Sequence, residues 1–481
     1  MQIVKLSIQN FRGVRKAELR LFAHTVLVGA NNCGKTTILD AVALILGRDR
    51  LVRSLTEHDF FGSDPQPADR IKVVATIAGF SADDPSEHIE WFRADRGIVK
   101  WWNDVDGTVH PDRADPSWRL ACQLAFAARF DRPSLEVDTI RYFHDDDNSG
   151  DAFVDDVVTP VPPRLIRELG FFLVPAARTW EGTVSFGSEL FRRVLSASDS
   201  QPHESVLGER DRLRVPAAPL ELDERLEPLI GQINEELTGL FSDEPTLHLR
   251  VTSTDSAGLL DSVIPHYARR GQAAPLPARR FGSGLLSVQH LLLLLQLGRL
   301  RARSGDGFVL AIEEPEVHVP PALQRRLVNR VQSLAKQTVA STHSPLVAGF
   351  ADPEGVLILR NRDGALRADA LLPRGLIATM PNAIRKLFQL QRVETIAALM
   401  HGVLLVPEGR TDSDWLRLVV RAVDLHQDWS DFDSCRFDST VGVVPTSDGA
   451  VVASTNALSR LHPAIVAMVD GDAAGRRYAS E

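Results

Sequence analysis

From its first residues the chain alternates apolar and polar positions through QIVKLSIQNFRGV, the two-residue period of a strand with one buried face. HTVLVGANNCGKTTILDAVALILG then predicts a short apolar strand (Val26 to Val28), a glycine-bounded loop and an amphipathic helix. Residues 71–80 (IKVVATIAGF) and roughly 87–102, the latter carrying Trp91, Trp101 and Trp102, read as strands, as does FFLVPAARTW (171–180), which leads into Arg178. In LDERLEPLIGQINEELTGLF the apolar residues recur every three or four positions, which suits a helix that meets a partner helix. Glycines 282 and 284 precede a long apolar helix in RRFGSGLLSVQHLLLLLQLGRL. GFVLAIEEPEVHVPP predicts a buried strand from Val309 to Ile312, followed by a helix from Ala322 to Ala335 and a short strand in QTVASTHSPLVAG ending at Ser341, Thr342 and His343. After about residue 375 the pattern restarts: RKLFQLQRVETIAALM reads as one amphipathic helix, and GVLLVPEGRTDSDWLRLVVRAV as strand, acidic turn and helix. A strand at 441–445, a helix at 450–461 and a third strand in AIVAMVDGDAAG close the chain. Strands alternating with helices predict an α/β fold.

Length adds a domain count: 481 residues exceed one ordinary core and predict two to three domains. No apolar run approaches the ~20 residues of a membrane span, so the leucines at 291–295 belong to a buried helix. MQIVKLSIQN lacks the pattern of a secretory signal, and a cytoplasmic location is expected. Cys33, Cys122 and Cys435 are widely spaced and odd in number, which fits reduced thiols better than a disulfide framework or a zinc site. The net charge of −9 excludes a globally basic nucleic-acid coat but leaves room for a local positive groove. Only seven of the 54 basic residues are lysines, so a lysine inside a motif carries weight.

One lysine does sit in a motif. Gly29, Gly34, Lys35 and Thr36 satisfy the G-x-x-x-x-G-K-[ST] spacing between a strand and a helix, where glycines let backbone N–H groups wrap phosphates at a helix N-terminus. Lys35 is expected to reach the β- and γ-phosphates of ATP and Thr36 to ligate Mg²⁺; Asn31, Asn32 and Thr37 complete the candidate loop. Downstream, Glu313 and Glu314 end a buried strand, a position that suits Glu313 to the Mg²⁺ shell and Glu314 to polarising the attacking water. His343, at the next strand tip, is placed to sense the γ-phosphate, although a lone histidine there is more often a loop residue. Ser283 and Gly284 mark a second phosphate-ready helix start, with a plain glycine-rich cap as the alternative.

The C-terminal segment supplies carboxylates instead. Glu408 and Asp412 follow one strand, and Asp470 and Asp472 another. In a parallel sheet these tips lie along one edge, so the four acids are expected to converge. Four converging carboxylates call for a hard cation, Mg²⁺ or Mn²⁺, and such a cluster suits metal-assisted phosphodiester chemistry. Singly, each is also a common turn, since Asp-Gly is a frequent turn dipeptide. The acid-rich stretch 144–156 lacks EF-hand spacing and reads as a solvated loop.

The order GANNCGKT, FGSG before a helix, LAIEEPE and STHSP resembles the ABC/SMC superfamily of P-loop ATPases, and MQIVKLSIQNFRGV is similar to the opening of RecF-like and OLD-family members. This resemblance implies a homodimer whose two heads clasp two ATP molecules, with Ser283 and Gly284 of one protomer completing the Walker site of the other and His343 as the switch histidine. Where that superfamily often has E-E-P-E-x-H-L-H-P, Glu316 and His318 match while Val319 and Pro320 depart, and no Q-loop glutamine is evident. LLVPEGRTD followed by VAMVDGDAAG resembles the E-G-x-x-D and D-G-D motifs of the Toprim fold, and an ABC ATPase followed by Toprim looks like the OLD family of ATP-dependent nucleases, which includes Gabija-type phage-defence effectors. The resemblance implies DNA cleavage with Glu408, Asp412, Asp470 and Asp472 as metal ligands, a DNA partner, a defence-system partner protein and no membrane. Toprim domains usually continue beyond D-G-D, whereas this sequence stops at Glu481, which implies a truncated segment, a site completed by another chain, or an inactive one. The expected domains are an ATPase N-terminal part at 1–180, a helical dimerisation insert at 181–250, an ATPase C-terminal part at 251–375 and Toprim at 376–481. The rival reading is a RecF-like, ATP-driven DNA-binding or sensing scaffold with an inactive Toprim. A topoisomerase-like strand exchanger would need a nucleophilic tyrosine, and Tyr142, Tyr267 and Tyr478 have no context for one.

Overall fold

A computed structural model of the chain describes residues 1–47, 55–93, 96–145, 151–153, 158–176, 204–215, 223–240, 245–249, 266–268, 274–277, 280–303, 307–333, 335–373, 380–425, 437–447 and 449–481. Two compact units emerge, Met1–Ala176 with Asp306–Glu481, and Ala177–Gly305. Arg178 and Cys435 lie outside the described residues, as does most of the acid-rich loop.

The larger unit is organised by a 13-stranded sheet. Its antiparallel half starts with the alternating N-terminal segment, which folds as β1 (Gln2–Phe11) and β2 (Val14–Arg20) around a turn at Arg12, where φ is +49°. The inward residues Leu6 and Ile8 face Ala75 and Val73 of β4 (Ile71–Ala78). β5 (Lys100–Asn103), β6 (Thr108–His110), β7 (Arg119–Asp131) and β8 (Glu136–Phe143) extend this layer, with β4 paired to β7 and β7 to both β5 and β8. The parallel half runs β9 (Phe171–Val174), β12 (Val309–Glu313), β13 (Gln337–Ser341), β3 (His24–Val28) and β14 (Val356–Arg362), and β15 (Ala365–Ala370) joins it to β2. Helix α1 (Lys35–Leu46) packs an almost wholly buried apolar face against both halves.

One buried polar side chain joins the two halves. Gln337 is fully buried; its Oε1 accepts from Ile3 N–H (2.8 Å), while its Nε2 donates to the carbonyls of Ile3 (2.6 Å) and Phe22 (3.1 Å). Gln337→Leu keeps the volume and strands those backbone groups, at 1–3 kcal/mol for each buried group left unpaired. The variant is expected to lose about 3 kcal/mol in denaturant unfolding; a change below about 0.5 kcal/mol would mean the bridge is unimportant.

Downstream of the large sheet's strands, a smaller parallel sheet runs β17 (Val441–Val443), β16 (Val403–Pro407), β18 (Ile465–Met468). Leu404, Val406, Val444 and Leu458 share one apolar core with Val26, Val28, Val356 and Ile358 of the large sheet. Arg460 strengthens that junction by donating to the carbonyls of Ala370 (2.8 Å) and Leu371.

The smaller unit carries helices at Glu204–Arg214, Glu227–Leu240 and Ser283–Arg303, and a two-residue pairing of β10 (His266–Tyr267) with β11 (Leu276–Pro277). Leu291 and Leu294 are buried and Leu292 is exposed. Among the described residues no helix is long and apolar enough to cross a membrane.

Two expected elements fold differently. Among the described residues of the 87–102 stretch, strand structure is confined to its end, where Lys100–Asn103 begins; Pro85–His88 is a 3-10 turn and Ile89–Phe92 a short helix. The Asp84 side chain accepts from Ser86 N–H (2.8 Å) and Pro85 takes the first helical position, so local capping overrides the β-propensity of the aromatic residues. The single helix expected over 385–400 is two, Asn382–Gln389 and Arg392–Leu399. At the break Leu390 is exposed and Gln391 N–H bonds back to the Lys386 carbonyl (3.0 Å). The bend lets Ile384, Leu387 and Phe388 share the core of Ile396 and Leu399.

Candidate nucleotide site and strand-tip carboxylates

Strand register assembles the first site. Across three parallel neighbours Glu313 pairs with Ser341, and Ser341 with Leu27. The segments that follow, Glu314 onward, Thr342–His343 and Gly29 onward, therefore leave the sheet along one carboxyl edge, where open α/β sheets bind ligands.

The loop from β3 to α1 has the backbone a phosphate cradle needs. Gly34, the N-cap of α1, has φ +105°, and a Cβ added there would lie 2.5 Å from Leu366 Cδ1. At Gly29 an added Cβ would sit 2.8 Å from both Cys33 Sγ and the Leu359 carbonyl. Only glycine fits either place. Asn31, Asn32 and Thr36 are exposed, Thr37 is buried at the start of α1, and the first N–H groups of a helix have no partner within it. Lys35 is buried, and its Nζ donates to the carbonyls of Gly29 (2.8 Å) and Ala30 (2.9 Å), closing the loop on itself. Burial lowers the Lys35 pKa; Cys33, Glu314 and Glu316 act in the opposite direction. The Cys33 thiol is itself raised by burial, with Lys35 opposing, and Cys33 and Cys122 are free thiols.

Opposite this loop, Glu313 Oε2 accepts from Ala176 N–H (3.0 Å). Glu314 N–H bonds to the Ser341 carbonyl (2.8 Å), and its φ of +42° is a strained value for a side-chain-bearing residue. Its Oε1 lies 3.9 Å from His343 Nε2, both groups partly exposed. Glu314 and His343 are thus neighbours at the carboxyl edge.

The residue patterns did not reveal one group beside this site. Arg12, at the β1–β2 turn, donates to Asp59 (2.8 Å) and to Asp40 on α1. Burial raises the Asp40 pKa against the opposing pull of Arg12. The asparagine-phenylalanine-arginine-glycine turn was visible in the sequence, but its partners lie 28 and 47 residues away.

At the carboxyl edge of the small sheet Asp470 N–H donates to Glu408 Oε2 (3.0 Å), which joins the tips of β16 and β18. Asp412 Oδ2 accepts from Gly409 N–H (2.8 Å), and Asp472 Oδ1 accepts from Gly475 N–H (2.7 Å) as the cap of the helix Ala473–Ser480. Glu408 and Asp470 are brought together, while Asp412 and Asp472 each turn one oxygen toward their own helix start. Among the described residues no group of three or more His, Cys, Asp or Glu side chains is set to hold an ion. Ser283 and Gly284 open the helix Ser283–Arg303 of the smaller unit.

Family models agree with this geometry. Residues 1–90 match "AAA ATPase domain" and residues 181–349 match "AAA domain, putative AbiEii toxin, Type IV TA system". The chain carries an AAA-type ATPase domain. The ATPase domain thus comprises a P-loop α/β sheet with a large antiparallel layer. The uncharacterised protein YbjD of Escherichia coli (strain K12) is 23% identical over 493 residues, covering 100% of this chain and 81% of that protein. The OLD nuclease of Thermus scotoductus (strain ATCC 700910 / SA-01) is 23% identical over 381 residues, covering 75% of this chain and 62% of the nuclease. Among solved structures, the SMC head domain from Thermotoga maritima aligns at 14% identity and TM-score 0.34, covering 77% of this chain and 99% of that one. An Smc head domain with an extended coiled coil, bound to the C-terminal domain of ScpA derived from Pyrococcus furiosus, aligns at 13% identity and TM-score 0.41, covering 80% and 99%.

Proposed function

We propose that this ATPase is a metal-dependent DNA endonuclease of the OLD type, with nucleotide turnover gating cleavage and a role in phage defence alongside a partner protein. The observation that carries the reading is the Glu408–Asp470 contact, which puts two acid-bearing tips of adjacent parallel strands side by side. The Thermus relative named a nuclease supports it. The donor set also fits a hard cation: Glu408, Asp412 and Asp472 each commit one carboxylate oxygen to a backbone N–H, and each has a second oxygen. Glu408, Asp412, Asp470 and Asp472 would hold Mg²⁺ or Mn²⁺, which supplies Lewis acidity to a phosphodiester. At the other site Thr36 and Glu313 would hold the Mg²⁺ that accompanies ATP, with Ser283 and Gly284 of a second protomer closing over the nucleotide in a homodimer. The expected division at 181–250, 251–375 and 376–481 belongs to the same proposal.

A second reading, an ATP-driven DNA-binding or sensing scaffold, is favoured by one observation: the four acids are not gathered into a single cluster among the described residues. Plasmid cleavage with Mg²⁺ or Mn²⁺, with and without ATP, separates the two. Glu408→Ala is expected to lower cleavage by at least about 10²-fold with ATP turnover unchanged. Wild type that turns over ATP and leaves the plasmid intact would favour the scaffold reading or a nuclease site completed outside this sequence.

A further inference from the structure

Apart from its charge near Lys35, Glu316 has no role in the site as described so far, yet it holds three groups of the His343 segment. A single oxygen, Oε1, accepts from Thr342 Oγ1 (2.7 Å), His343 N–H (2.9 Å) and Ser344 N–H (3.1 Å). Thr342 Oγ1 in turn accepts from Ser344 N–H (2.9 Å). The loop holding Glu316 is itself fixed, by Val317 N–H to the Glu314 carbonyl (3.0 Å) and Val319 N–H to the Glu316 carbonyl (2.9 Å). Gln324 braces the same two segments, donating to the Val319 carbonyl (2.9 Å) and lying 3.5 Å from Ser344 Oγ. The other Glu316 oxygen is buried and has no hydrogen-bond partner among the described residues.

We infer that Glu316 is a positioning residue for ATP hydrolysis, locking the His343 segment to the Glu314 loop so that the two side chains face the same nucleotide end. The inference rests on the ATPase reading of this site. Physically, a charged oxygen that collects three donors is about twice as strong an acceptor as a neutral one and fixes backbone as well as side chain. Without it the two segments would be tied only through the β12–β13 pairing and the longer Gln324 contact to Ser344, and the His343 N–H would seek water. A displacement of about 1 Å in a reacting group costs on the order of 10²-fold in rate, while substrate binding through the P-loop is made elsewhere.

The test measures steady-state ATP hydrolysis and ATP affinity for the full chain. Glu316→Ala is expected to lower kcat about 30-fold while ATP affinity stays within about threefold. Glu316→Gln keeps an acceptor at Oε1 and is expected to recover kcat to within about fivefold of wild type. In a His343→Ala background Glu316→Ala is expected to add less than about twofold, because the residue it positions is gone. Unchanged kcat in Glu316→Ala, an undiminished loss in the His343→Ala background, or a loss of ATP affinity that parallels the loss of kcat would each overturn the inference. Absence of turnover in wild type would instead remove the ATPase reading, a result distinct from all of these.

Discussion

Lys35→Ala is expected to reduce ATP hydrolysis by about 10³-fold, the scale seen when one preorganised electrostatic group is removed from a transition state. Lys35 is buried and its Nζ is held 2.8 and 2.9 Å from two carbonyls of its own loop. Burial disfavours its charge, and Glu314 and Glu316 are among the groups that help retain it. A phosphate would replace those carbonyl partners with a full negative charge, the strongest match a buried ammonium has. Lys35→Ala leaves the Gly29 and Ala30 carbonyls without their donor but also removes a desolvated cation, and because these effects oppose each other its thermal stability should stay close to that of wild type, which separates a lost function from a lost fold. Phosphate release assays with matched melting curves check this. Turnover within tenfold of wild type would mean that Gly29 to Thr36 is not the nucleotide loop.

The second large effect concerns chemistry after binding. Glu314→Gln is expected to lower kcat by 10²–10⁴-fold, the usual contribution of a positioned general base, with ATP affinity nearly unchanged. The amide is isosteric, so the strained backbone at φ +42° and the bond from Glu314 N–H to the Ser341 carbonyl should survive. Only the proposed capacity to polarise water toward the phosphate is removed. The variant therefore holds ATP without turning it over, and plasmid cleavage by it reports whether binding or hydrolysis opens the proposed nuclease site. An equal fall in ATP affinity would show that Glu314 contributes to binding rather than to the hydrolytic step.

Much of the geometry of the candidate nucleotide loop was legible in the sequence. Gly29, Gly34 and Lys35 are constrained by local geometry, because a phosphate loop needs a positive-φ glycine and a helix start within a few residues, and such constraints leave a spacing in the sequence. Glu313, Glu314 and His343 were legible for a related reason: each follows a short run of buried apolar residues, and strand ends are readable from hydrophobicity. The two corrected elements show the converse. The 87–102 stretch has strand composition, yet Asp84 and Pro85 cap it into a turn, and the helix over 385–400 breaks because its two halves must reach one core.

By itself the sequence determined the alternation of strands with helices and which glycines and carboxylates fall at their ends, since those depend on neighbours within a few residues. Tertiary structure decided what meets across long separations. β1 pairs with β4 some 70 residues on, Gln337 bridges to Ile3 and Phe22 more than 300 residues away, and Glu316 captures three donors from 342–344. It also decided that Glu408 meets Asp470 while Asp412 and Asp472 turn to cap their own helices. A carboxylate at a strand tip has both a helix N–H and a neighbouring strand within reach. Which one it takes is set by sheet register and packing, and no local pattern of residue types encodes either.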